Sequence, residues 1–319
     1  MLDVINLALP FFGLVFLGFA AGRYQRIPDT GMAWMNFFIV YVSLPALFYR
    51  ILATKPLEQL ARPPFIVATT LSTFAAFILS FAITMAMRHG NVAEAAIGGL
   101  AGGYGNIGYM GPGLALSTLG GAAAAPVALI FCFDQLLLFS LVPMLMAIAG
   151  TDKKGWVATT LDVVKRIVTH PLMIASALGV ASAAIRFEPP VALDRLLQFL
   201  QNAAAPCALF ALGVTVAMRR LDKVPWEVPL LVAIKLVLHP AIVLALLILL
   251  GPFDEAWVAA AVLLAALPPA LNVFVFARQY DAWVAQASNS MMLGTVVSVL
   301  TLTTVMWLVK THNLPIPLR

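Results

Sequence analysis

Apolar runs of about twenty residues follow one another along nearly the whole chain, and that is the length a helix needs to cross a hydrocarbon core of roughly 30 Å. They lie at approximately Val4 to Gly22, Gly31 to Leu52, Pro64 to Met87, Val92 to Leu119, Ala122 to Ala149, Val163 to Ile185, Val191 to Met218, Trp226 to Leu250, Ala256 to Ala277 and Trp283 to Val309. Only 10% of the 319 residues are charged and 62% are hydrophobic, too little polar surface to coat a water-soluble globule of this size. An all-α integral membrane protein with ten transmembrane helices is expected. The first run begins almost at Met1 and leads to no small-residue cleavage site, so it is expected to be retained as a span.

The net charge of +5 reports topology, because Lys and Arg fall in short loops between the runs; a nucleic-acid partner is not expected. With the N-terminus outside, the inner loops hold Arg23, Arg26, Arg88, Lys153, Lys154, Lys165, Arg166, Arg219, Arg220, Lys223 and Arg278. The outer side keeps Arg50, Lys55, Arg62, Arg186, Arg195, Lys310 and Arg319, while Lys235 is inside a run. This bias favours both termini outside. Cys132 and Cys207 sit in apolar runs as small hydrophobes, and neither a disulfide framework nor a metal-ligand spacing is present.

The inner loop, residues 150–162, divides the chain into five-helix halves, 1–149 and 163–319. An odd helix number per half makes the second half enter the membrane from the opposite side, so a structural repeat must be inverted. Ser43-Leu44-Pro45-Ala46-Leu47-Phe48 resembles Ala205-Pro206-Cys207-Ala208-Leu209-Phe210 at an offset of about 161 residues. The same offset carries Asn106 to Leu267, beside a second landmark.

Those landmarks are two interruptions. The fourth run contains Gly102-Gly103-Tyr104-Gly105-Asn106-Ile107-Gly108-Tyr109-Met110-Gly111-Pro112, and the ninth contains Leu267-Pro268-Pro269-Ala270-Leu271-Asn272. Glycine and proline cost a helix propensity and hydrogen bonds, so an unbroken helix is not expected at either place. A new half-helix is expected near Pro112 and another near Asn272. With outside termini, both second halves point their partly positive N-termini at the bilayer centre. Free N–H groups with the side-chain donors Asn106 and Asn272 then make an anion site suited to a carboxylate. Tyr104 and Tyr109 flank Asn106 as a possible aromatic wall.

Asp134, beside Gln135 in the fifth run, is an intramembrane carboxylate and a functional candidate by default. Three roles are open to it: proton carrier, hydrogen-bond support for the Asn-rich site, or partner of Lys235. Lys235 and His239 are four residues apart and share a helix face. Lys235 lies about 13 Å along the axis from Trp226 and is expected to snorkel to the inner interface. His239 precedes Pro240 and His170 precedes Pro171, each at an expected bend, with proton relay the alternative. Ser43, Asn202, Thr215, Asn289, Thr295 and Ser298 are expected to join helices.

Asn106-Ile107-Gly108-Tyr109-Met110-Gly111-Pro112, Ala205-Pro206-Cys207-Ala208-Leu209-Phe210-Ala211-Leu212-Gly213 and Leu267-Pro268-Pro269-Ala270-Leu271-Asn272-Val273-Phe274-Val275-Phe276-Ala277 resemble the signatures of the auxin efflux carrier family in its short bacterial form. The plant PIN exporters are relatives, and bacterial members are often labelled malonate, malate or lactate transporters. The resemblance spans the chain and implies a 5+5 inverted repeat with crossed, broken helices 4 and 9, the bile-acid symporter (NhaA-like) fold. It implies a homodimerising scaffold from helices 1, 2, 6 and 7 and a transport domain from helices 3–5 and 8–10. By motif position, substrate binding is carried to Asn106 and Asn272, with crossover prolines Pro112 and Pro268 or Pro269 and fifth-helix polar residues Asp134 and Gln135. The plant exporters' long loop between the halves is absent, so its regulation is not implied.

The chain is therefore expected to be a secondary transporter of small organic anions in a bacterial-type inner membrane, not an enzyme. Substrate-site candidates are Ser43, Asn106, Tyr109, Pro112, Gln135, Pro268 and Asn272; charge-coupling candidates are Asp134, Lys235 and His239. No cofactor or metal is expected, with H+ or Na+ as possible coupling ions. The alternatives are a sodium-coupled symporter of bile-acid type and an intramembrane enzyme. The connecting stretch is too short for an ATPase domain, no G-x-x-x-x-G-K-[ST] motif occurs, and His89, His170, His239 and His312 form no ligand motif.

Overall fold

In a computed structural model the described residues are 2–25, 27–55, 60–150, 156–219 and 224–314. Arg26, Lys153, Lys154, Arg220, Lys223 and Arg319, used above for topology, lie outside them, as do residues 151–155 of the connecting stretch. The described residues form helices and no strand. In chain order these are α1 (Leu2–Tyr24), α2 (Asp29–Phe37), α3 (Leu44–Ala53), α4 (Pro63–Met87), α5 (Val92–Gly103), α6 (Gly111–Leu119), α7 (Ala124–Ile148), α8 (Trp156–Val168), α9 (Pro171–Ala184), α10 (Val191–Met218), α11 (Glu227–Ala233), α12 (His239–Leu250), α13 (Glu255–Ala265), α14 (Leu271–Tyr280) and α15 (Val284–Lys310).

Six helical stretches are long and apolar enough to cross a membrane, or seven if α8 and α9, bent by 58°, act together. Shorter apolar helices lie at Leu9–Tyr24, Val92–Gly103 and Glu255–Ala265. The chain is thus an all-helical, multi-pass membrane protein. The expected 150–162 loop is helical from Trp156 onward, and the sixth run bends at His170-Pro171 instead of running straight. The bend follows from Pro171, which supplies no N–H, while His170 Nδ1 accepts from Leu172 N–H at 3.4 Å.

Two other prolines widen their helices instead of bending them. Phe38–Ser43, before Pro45, and Ile234–Leu238, before Pro240, are π-helical, so the carbonyls that meet the proline ring are redirected. In the first of these, Ser43 is fully buried and donates to Ile39 O at 3.4 Å.

The helices cluster into two compact units. The first comprises Met1–Arg62, Gly108–Cys132 and Val168–Arg220; the second comprises Pro63–Ile107, Phe133–Ile167 and Leu221–Arg319. Residues Gly108–Cys132, grouped above with helices 3–5, fall in the first unit. The reason is the break itself: with no hydrogen-bond ladder through residues 104–110, the two halves of that run pack with different neighbours.

Within the first unit α1 packs on α10, and α3 on α9 and α10. A Cβ on Gly18 would lie 2.1 Å from Phe210 O, so the α1–α10 backbones meet at a small-residue contact. Arg50 grips Asp194 through Nε and Nη2, at 3.0 and 3.2 Å, and reaches Gln201 Oε1 at 3.0 Å.

Within the second unit α4 and α5 are the closest pair, Ser80 and Thr84 facing Gly102 and Gly98. At the helix ends Glu227 is 5% exposed and accepts from Arg88 and, at 3.2 Å, from the Trp283 indole. Trp283 itself has φ 55°, an uncommon left-handed conformation for a bulky residue that this bond holds in place. Glu227→Ala leaves the Trp283 indole without its acceptor and Arg88 with Glu94 alone, and is expected to destabilise the protein by about 2 kcal/mol, read as earlier thermal unfolding in detergent, with Glu227→Gln losing less.

Candidate crossover site

α5 stops at Gly103 and α6 starts at Gly111, with Pro112 in its first turn; α13 stops at Ala265 and α14 starts at Leu271. The backbone groups these stops release are paired across the unit. Asn106 N–H donates to Pro268 O at 2.8 Å and Ala270 N–H donates to Tyr104 O at 3.0 Å, an antiparallel bridge with Gly105 opposite Pro269. In such a bridge the directly opposed residues need no N–H, so Pro269 occupies the one position where its missing donor costs nothing. Gly105 is needed on the other side: a Cβ there would lie 3.1 Å from Lys235 Nζ and 3.2 Å from Leu264 O. Gly294 of α15 makes room for the proline, since a Cβ there would come within 2.4 Å of Pro269 Cδ.

Two side-chain chains leave this crossing. In the first, Asn272 Nδ2 donates to Tyr104 Oη at 3.3 Å, and Tyr104 Oη donates to Gln135 Oε1 at 2.5 Å. The Tyr104 ring meets Phe139 edge-on at 6.2 Å, and Phe139 meets Phe276 at 5.0 Å, which fixes the phenol. Asn106 is 2% exposed, and its Nδ2 has no hydrogen-bond partner among the described residues. α14 begins at Leu271, two residues beyond Pro269 of the bridge, and brings the positive end of its dipole to the crossing; of its first-turn N–H groups Val273 N–H bonds Ala270 O at 3.1 Å.

The second chain begins at a carbonyl orphaned by covalent structure. Ala265 O would bond the N–H of residue 269 in a continuing helix, but residue 269 is proline. Lys235 Nζ donates to it instead. The expected snorkelling of Lys235 is thereby corrected: the side chain is 0% exposed and turns inward to this carbonyl. Its Nζ also contacts His239 Nδ1 at 3.0 Å. His239 Nε2 lies 3.4 Å from Thr73 Oγ1 and 3.5 Å from Ser72 Oγ, and Thr73 Oγ1 donates to Asp134 Oδ2 at 3.1 Å. Lys235 and Asp134, candidates for a direct ion pair, are thus joined through His239 and Thr73.

Asn106, Asn272, Gln135, Pro268, Asp134, Lys235 and His239 all belong to the second unit, whereas Ser43, Tyr109 and Pro112 belong to the first. Two members were missed from the sequence as site residues. From the sequence Tyr104 is a possible aromatic wall and no more, and Thr73 does not stand out as a site residue. Its signal was available: Thr69, Ser72, Thr73, Ser80 and Thr84 place hydroxyls at intervals of three to four or their multiples through an otherwise apolar run. Among the described residues no three His, Cys, Asp or Glu side chains converge as a metal would require.

The fold is that of a multi-pass helical protein with a buried crossing of two broken helices, and the family it belongs to makes it a membrane transporter, not an enzyme. The family model described as "Membrane transport protein" matches residues 3–306, and the chain belongs to that family, the auxin efflux carriers in their bacterial form. It is 47% identical over 315 residues, 99% of this chain and 98% of the relative, to a protein of Rhizobium meliloti (strain 1021) described as "Putative malonate transporter".

Proposed function

We propose that the protein is a secondary carrier of small carboxylates, with malonate-like dianions as the first substrates to test. The observation that carries this is the Asn106 amide, a buried donor with no partner at a crossing that also presents the α14 N-terminus. A buried amide without an acceptor is unfavourable by about 1–3 kcal/mol, and a bound carboxylate removes that cost. Asn272, held through Tyr104 and Gln135, supplies the second side-chain donor. The relative's printed substrate supports a dicarboxylate.

On this reading the ten apolar runs are ten spans in two inverted five-helix halves, with both termini outside a bacterial inner membrane. Helices 1, 2, 6 and 7 form a dimerising scaffold against which the site-bearing helices move in alternating access. The test is a thermal-shift series on detergent-purified protein with malonate, malate, lactate and indole-acetate, followed by counterflow of labelled malonate in proteoliposomes. A ligand that binds only the folded state at a hundred times its Kd stabilises by about 2.7 kcal/mol, an easily read rise in melting temperature. No shift and no counterflow with any carboxylate would overturn the reading.

A further inference from the structure

The second chain has a property that hydrogen-bond direction alone reveals. Lys235 Nζ has only protons to give, so toward it His239 Nδ1 must accept. Nε2 then carries the ring proton and faces Thr73 Oγ1, whose own proton is donated to Asp134 Oδ2. All three links therefore point one way, from a buried cation to a buried carboxylate.

Resting on the carboxylate-carrier reading, we propose that this chain is a proton wire and that substrate moves in symport with H+. Along the wire the Lys235 proton passes to His239 Nδ1, the Nε2 proton passes to Thr73 Oγ1, and the Thr73 proton passes to Asp134 Oδ2. The ion pair becomes a neutral amine and a neutral acid, with His239 and Thr73 neutral before and after. The unloaded site, ammonium plus carboxylate, has no net charge. Once the wire has left a neutral amine and a neutral acid, a proton arriving from water adds to the Lys235 amine, and the ammonium, with Asp134 already protonated, stands uncompensated beside Gly105 and Ala265, one residue from Asn106, where its charge favours an incoming carboxylate; release of carboxylate and proton together on the other side restores the neutral pair.

Other titratable groups do not break the wire. Of the elements packed on Lys235 and His239, α4 contributes none within Pro63–Met87, α5 contributes Glu94, α11 contributes Glu227, and α15 contributes only Lys310. Glu94 and Glu227 pair with Arg88, and Lys310 is exposed. α13, packed on α12, contributes Glu255, which pairs with His312, and the Tyr104 phenol is bonded to Gln135.

The test uses the full chain in proteoliposomes with the membrane potential clamped. An imposed pH gradient, acid outside, is expected to drive labelled malonate inward at least about tenfold above its equilibrium level without sodium, and added malonate is expected to carry protons inward against an internal pH dye. Thr73→Val removes the wire's hydroxyl at constant shape and is expected to abolish gradient-driven accumulation; Thr73→Ser keeps a hydroxyl and restores it. Accumulation that requires sodium, or that survives in Thr73→Val, overturns the wire while leaving the carrier intact. Binding and counterflow with no response to the pH gradient do the same. Wild-type protein that neither binds nor exchanges any carboxylate overturns the carrier and the wire together.

Discussion

Asn106→Ala is expected to weaken carboxylate binding by about tenfold to a hundredfold, the loss of one hydrogen bond to a charged group, without changing the fold. The amide makes no hydrogen bond through Nδ2 to the rest of the protein, so truncation leaves no donor behind. Asn106→Asp replaces the donor by a like charge at the same size and is expected to lower affinity further than alanine does. Asn272→Ala acts by a second route. It removes a donor and also leaves Tyr104 Oη with Gln135 alone, which lets the phenol turn. Titration of melting temperature with malonate gives the order wild type, alanine, aspartate at position 106. Equal affinity in Asn106→Ala, Asn272→Ala and wild type would remove the crossing as the binding site.

The second large effect is on packing. A Cβ on Gly102 would lie 1.8 Å from Ser80 Oγ and 2.5 Å from Ser80 Cβ, distances no side-chain rotation relieves because the second atom is fixed to the α4 backbone. Gly102→Ala is therefore expected to push α4 from α5 and cost about 1–3 kcal/mol, although alanine is the better helix former. Adding Ser80→Ala to it should not restore stability, since the Cβ remains; Ser80→Gly should. Thermal unfolding of the three variants in detergent decides this, and a stable Gly102→Ala single variant would show that the α4–α5 contact is looser than described.

The helix breaks were legible because their causes are local. Five glycines and Pro112 within one apolar run, and Pro268-Pro269 in another, remove propensity and donors wherever the chain goes. The bridge that heals them was not legible. Which of Pro268 and Pro269 stands opposite the other break depends on register between segments some 160 residues apart, and only assembly put Pro269 against Gly105. Lys235 shows the same limit. Taken alone, its helix offers a route to the interface for a long side chain; in the assembled unit a nearer acceptor exists, because Pro269 orphans Ala265 O.

The sequence by itself determined that this chain crosses a membrane as apolar helices, that two of them break, and that Asn106 and Asn272 stand at the breaks, since hydropathy, proline and glycine act within a few residues. Only the tertiary structure decided that Tyr104 and Gln135 hold Asn272, that Thr73 and His239 stand between Lys235 and Asp134, and that residues 108–132 leave the unit holding the crossing. Those outcomes rest on buried polar groups finding partners far away in sequence, a condition imposed by the absence of water and settled only when the helices meet.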